Sequence, residues 1–303
     1  MFYQLKDRFR RFRFGHACRS ILSTPPCKAA PGSSVALLSQ LQHKDVLLAL
    51  IAIKSFVARV PVGAIYVLND GSLTANDRAR LMDHFPLATV LELADFRGPS
   101  LPRGGCWERL TAISELVRNH YVIQLDSDTL TLAAVPEVIA CVDGNVSFVI
   151  GTWDRQQFET MESRQGQAAA LVAKAMGKVH IQLAAEANFD KLERFAELQY
   201  VRGCAGFSGF GRESFDRSLL EEISSQMLHA LGDRWREWGS EQVMSNIVVA
   251  NSALRQVLPH PRYCDCTKII EKETIFIHFI GSCRFDRGIY ATKARAIIAE
   301  LNC

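Results

Sequence analysis

The 303-residue sequence predicts an α/β fold, a single doubly wound and mainly parallel sheet with helices on both faces. Three observations point there. Strand-like and helix-like runs alternate from Val35 onward, turn and cap residues separate them, and two aspartates directly follow the strand-like run Tyr121 to Leu125.

Taken in order, VALLS at 35–39 reads as a strand, 43–57 as a helix, AIYVL at 64–68 as a strand and 74–84 as a helix. ATVLEL at 88–93 is the third strand, and a helix over 104–119 leads into YVIQL at 121–125. Thr74 with Asp77 three residues on makes an N-cap pair, and Asn69-Asp70-Gly71 is a turn after a strand. The second half is less regular, with a strand over 200–210, helices near 213–231 and 240–250, and a late strand at 274–279. Glycines 203, 206, 209 and 211 spell neither a P-loop nor a dinucleotide fingerprint and read as sites of close backbone packing.

Hydrophobic residues at 48% and charged residues at 22% are ordinary for a globular chain. The longest apolar run, Val46 to Ile53, is far short of the roughly 20 residues that span a bilayer. Nine cysteines, odd in number and scattered from Cys18 to Cys303, suggest no disulfide scaffold and a cytoplasmic protein. A zinc site from His260, Cys264, Cys266 and Cys283 is disfavoured by its C-x-C spacing.

Residues 1–34 hold seven Lys/Arg against one acid and end in the Pro/Ser/Gly-rich stretch 23–34. They read as a basic arm and linker, with the folded domain over 35–303. Because Phe2, Tyr3, Phe9, Phe12 and Phe14 are interleaved with the arginines, the arm is either a solvated tail or a peripheral contact, through residues 1–22, with the anionic inner face of a membrane. No nucleic-acid partner is expected.

In an open α/β sheet, ligands bind beyond the carboxyl ends of the strands, where Asp126-Ser127-Asp128 falls. Carboxylates at i and i+2 leaving a strand can both turn toward one cation and supply hard oxygen ligands. A phosphatase of the haloacid-dehalogenase type is an alternative, with Asp126 as nucleophile. Against it, Leu130 stands at the fifth position and the motif lies deep in the chain.

Three blocks then resemble the retaining glycosyltransferases of family 8, the group of glycogenin and the bacterial lipopolysaccharide galactosyl- and glucosyltransferases. They are I-x-x-K-S-F at 51–56 with IYVLNDG at 65–71, CWERL at 106–110 leading into Tyr121 to Leu130, and His278-x-x-Gly281-x-x-Arg284. The last is similar to the family's late H-x-x-G-x-x-K. The resemblance implies a GT-A type nucleotide-diphospho-sugar transferase fold, UDP-glucose or UDP-galactose as donor, and a saccharide or lipid-linked acceptor.

It also implies a metal on Asp126, Asp128 and His278. Mn²⁺ is favoured by the mixed O/N set, with Mg²⁺ as alternative. Arg109, Asp126, Ser127, Gly281 and Arg284 would bind the donor nucleotide, Arg284 standing where the family has lysine. Cys204-Ala205-Gly206 resembles the family's N-A-G strand, with Cys204 in place of the asparagine that touches the donor sugar. Glu241-Gln242 is similar to the family's D-Q pair, so Glu241 would orient the sugar and Gln242 lie beside the anomeric carbon. The altered sugar strand leaves a second reading, a protein of this fold that binds nucleotide-sugar without turnover.

Overall fold

The computed structural model describes residues 2–28 and 30–302. Helix α1 (Phe2–Ala17) and a 3-10 turn over Arg19–Ser23 precede β1 (Val35–Leu41). Next come α2 (Val46–Val57), β2 (Ala64–Asn69), α3 (Ala75–His84), β3 (Ala88–Glu92), α4 (Trp107–Leu116) and β4 (Tyr121–Leu125), alternating as the sequence predicts. Their boundaries follow local chemistry. Thr74 and Asp77 complete a reciprocal capping box at the start of α3, and Asn69 Oδ1 accepts from the N–H of Gly71, whose φ of +98° suits glycine.

The following stretch holds β5 (Thr129–Thr131), α5 (Pro136–Asp143), β6 (Ser147–Ile150), β7 (Glu159–Thr160), α6 (Met161–Lys174) and α7 (Ile181–Glu186). The chain continues through β8 (Gln199–Tyr200), β9 (Cys204–Phe210), α8 (Arg217–Leu231), α9 (Ser240–Ala250), β10 (Arg255–Leu258), β11 (Tyr263–Asp265), β12 (Phe276–His278) and α10 (Ile289–Glu300). The predicted strand over 200–210 is therefore two. β8 pairs with β7, whereas β9 enters the main sheet. The break falls at Gly203, where a Cβ would lie 2.3 Å from Val149 Cγ2.

Among the described residues the main sheet has seven strands in the order β10-β6-β9-β4-β1-β2-β3. β4, β1, β2 and β3 are parallel, and β9 runs antiparallel to both of its neighbours. Side-chain alternation splits the interior in two: Val35, Leu37 and Leu41 of β1 face one core, Ala36 and Leu38 the other. A smaller sheet, β11-β12-β5, pairs His278 of β12 with Thr129 of β5. That register brings the late histidine to the Asp-x-Asp turn.

Two expectations are corrected. The N-terminal segment is not a solvated arm ahead of a fold that begins at Val35: Phe14, Cys18 and Ile21 are buried in the first core. Their i, i+4, i+7 spacing makes a helical stripe that the arginines before Phe14, and Arg19 within it, conceal. Arg11 pairs with Asp45, and the linker stretch caps a buried lysine. Lys54 of α2, 1% exposed, donates to the carbonyl oxygens of Thr24 (3.5 Å) and Pro25, and burial holds its pKa below the ordinary lysine value. Second, Cys266 and Cys283 form a disulfide, which removes both from any zinc set and is a bond that a reducing cytosol disfavours. No helix among the described residues is long and apolar enough to cross a membrane.

Candidate metal and donor site

The turn after β4 is held from both sides. The Asp126 N–H donates to Gly206 O of β9 (2.8 Å), and the Phe279 N–H donates to Asp128 O (2.8 Å). With the backbone so fixed, both carboxylates face the imidazole of His278: Asp128 Oδ1 lies 3.2 Å from Nε2 and Asp126 Oδ2 3.7 Å from it. One ligand atom from each of the three residues falls within 4.8 Å of the others. Two carboxylate oxygens and one imidazole nitrogen converging in this way fit a divalent cation.

The ring of His278 lies across β9 because residue 206 has no side chain; a Cβ there would sit 2.1 Å from His278 Cε1. Glycines 209 and 211 likewise pass against Phe148 and the Asn145 carbonyl, so the close-packing reading of these glycines holds. On the far side of the ring, Cys204 Sγ is 3.1 Å from Nδ1. The sulfur that stands where the resembled family has its sugar-contacting asparagine therefore touches the histidine.

Charge is balanced pairwise around the three ligands. Arg284 pairs with Asp128, and its Nε donates to Phe279 O (3.1 Å). Arg109, 5% exposed at its side chain, bridges Asp126 (2.5 Å) and Glu241 (3.3 Å). Burial works against the ionised form of both Asp128 and His278, yet their mutual attraction prevails. The Asp128 carboxyl is held below its ordinary range with help from Arg284, and His278 is held above its own, with Cys204 and Asp128 raising it.

Glu241 behaves differently. Burial pushes its pKa up to about 7, with Arg109 opposing and Asp126 adding to the rise. An unfolded glutamate titrates near about 4.3, so between those values the folded chain keeps a proton that the unfolded chain has released. The stability Glu241 contributes is thus full below the lower value and is lost as pH rises through the higher one. Urea unfolding at about pH 5 and about pH 7.5 is expected to show a larger loss for wild type than for Glu241→Gln. Equal losses would refute the assignment.

A cavity of about 520 Å³ opens on this cluster. Asp126, Asp128 and His278 line it, as do Arg109 from α4, Cys204 and Ala205 from β9, Glu241 and Gln242 from the first turn of α9, and Gly281 and Arg284 from the loop after β12. The lining passes over Ser127, which occupies the turn between the aspartates. It also takes in residues the sequence did not single out: Thr152, His180, Gln182, Arg202, Trp238 and Asp265. Gln242 Nε2 approaches Gln182 Oε1 (3.4 Å), and Trp238 stands 74% exposed at the rim, edge-on to His180.

The seven-stranded sheet, with β9 antiparallel beside β4, has the fold of solved GT-A glycosyltransferases. Similar solved structures include the galactosyltransferase LgtC in complex with donor and acceptor sugar analogues. That match has a TM-score of 0.52 at 13% identity and covers 88% of this chain and 96% of LgtC. The apo structure of WbbM, a bifunctional glycosyltransferase, matches with a TM-score of 0.50 at 12% identity over 90% of this chain. This chain spans about half of WbbM, 53% of its length. No protein-family model and no curated protein sequence matches the chain.

Proposed function

We propose that the protein is a retaining glycosyltransferase of the family 8 type that moves a hexose from UDP-glucose or UDP-galactose to a saccharide or lipid-linked acceptor. One observation carries this reading: Asp126, Asp128 and His278, drawn from two separate sheets, converge at the floor of a ligand-sized cavity beyond the strand ends of a GT-A fold.

These three residues would hold a divalent cation, manganese before magnesium, whose charge offsets that developing on a departing diphosphate. Arg284 and Gly281 would receive the diphosphate: the loop is bent to φ +30° at Gly281, and Arg284 offers a guanidinium beside Asp128. Arg109 orients Asp126 and Glu241 together, which couples the cation side of the site to the sugar side. Glu241 would hold sugar hydroxyls, with Gln242 beside the anomeric carbon on the face opposite the incoming acceptor hydroxyl.

The test is to incubate the protein with UDP-glucose, UDP-galactose and a GDP-sugar, with and without Mn²⁺, and to measure free nucleoside diphosphate. Mn²⁺-stimulated release from a UDP-sugar is the expected result. Tight Mn²⁺-dependent UDP binding with no release would mean a binding protein instead, and release of inorganic phosphate a phosphatase.

A further inference from the structure

The exposed side of α1 serves no purpose in the site described above, and its composition is unusual. Arg8, Phe9, Phe12, Arg13 and His16 are all exposed, and at about 100° per residue they fall within one arc of about 140° of the helix. Phe9 and Phe12 are 62% and 72% exposed. Arg13 lies over the Phe9 ring at 6.0 Å, and Arg19 continues the exposed basic side into the next turn. The acid nearest in sequence, Asp7, faces Arg11 at 4.0 Å.

The opposite side of the same helix is anchored. Phe14 packs on Phe285 (5.5 Å) and Tyr290 (4.4 Å), Arg11 lies over the Phe285 ring at 5.6 Å, and Arg10 pairs with Asp286 at 3.0 Å. α1 is therefore seated directly on the loop that carries Arg284. Phe14 thus faces inward, whereas Phe9 and Phe12 of the same helix face outward.

We infer that this face of α1 is a docking surface for an anionic lipid bilayer, with Phe9 and Phe12 entering the headgroup boundary and Arg8, Arg13 and Arg19 meeting lipid phosphates. An aromatic pair between cations on a fixed helix is the pattern of an interfacial helix. Each cation near such a surface strengthens partitioning about fivefold. A nucleic-acid backbone would match the arginines but would leave two adjacent phenylalanine rings in water. The inference deepens the proposed function and rests on it in one respect: docking beside the Arg284 loop would bring the cavity to a lipid-linked acceptor.

Vesicle binding tests it without reference to catalysis. The full chain is sedimented with phosphatidylcholine vesicles with and without phosphatidylglycerol, as wild type, as Phe9→Ser/Phe12→Ser and as Arg8→Gln/Arg13→Gln, with circular dichroism reporting the fold. The expected result is binding to the anionic vesicles only, weakened at least about tenfold by either double substitution while the spectrum is unchanged. No binding of wild type to anionic vesicles, or equal binding by the Phe9→Ser/Phe12→Ser variant, overturns the inference. Tighter binding to a DNA duplex or an RNA hairpin, indifferent to the phenylalanines, also overturns it in favour of nucleic acid. Soluble nucleoside diphosphate release, measured without vesicles, reports separately on the catalytic reading.

Discussion

Replacing Asp128 with Ala is expected to lower Mn²⁺-stimulated release of UDP from a UDP-sugar by about 10³-fold, a loss of several kcal/mol in the transition state. Asp128 is 8% exposed at its side chain and faces both His278 and Arg284. Its removal takes away a ligand and leaves the Arg284 guanidinium without its carboxylate partner. Asp128→Asn keeps the shape and removes the charge, and so separates charge from packing. Rates at saturating Mn²⁺, with urea unfolding alongside, make the measurement; a variant that works as well as wild type removes Asp128 from the site.

Gly206→Ala is expected to be nearly as severe, although residue 206 carries no functional group. The new Cβ would fall 2.1 Å from His278 Cε1 and 2.5 Å from Nδ1. β9 cannot withdraw, because it is paired on both sides and its Gly206 carbonyl accepts the Asp126 N–H. The ring must swing out, and Mn²⁺ affinity should fall by about 100-fold together with about 1–3 kcal/mol of stability. Gly209→Ala is the control: its Cβ meets Phe148 at 2.2 Å, so it should destabilise to a similar degree and leave metal affinity intact. Calorimetric Mn²⁺ titration of the two variants decides the matter, and equal affinities would mean that Gly206 serves packing alone.

The parts of this protein that could be read from the sequence are those in which one local pattern implies one geometry. The strands of the parallel half, the capping box at Thr74 and the Asp-x-Asp turn are of this kind. The late His278-x-x-Gly281-x-x-Arg284 motif was visible through its resemblance, and the β12–β5 register supplies the physical reason it meets the aspartates. The pairing of Cys266 with Cys283 was not legible, since it depends on how the segment after β11 folds back. Nor were His180, Arg202 and Trp238, which reach the cavity from irregular segments that no periodicity marks. The stripe Phe14-Cys18-Ile21 was hidden for another reason: a helix with arginines on its outer side looks in sequence like a charged tail.

Lys54 gives that last point a wider meaning. Its ammonium ends in the interior, and the acceptors it meets are the main-chain carbonyls of Thr24 and Pro25 rather than any group of the sheet. Detaching the proline-rich stretch would leave the buried Lys54 ammonium without these acceptors, so loss of the stretch is expected to weaken α2 with it. A chain shortened to begin at β1 would be missing part of its own interior.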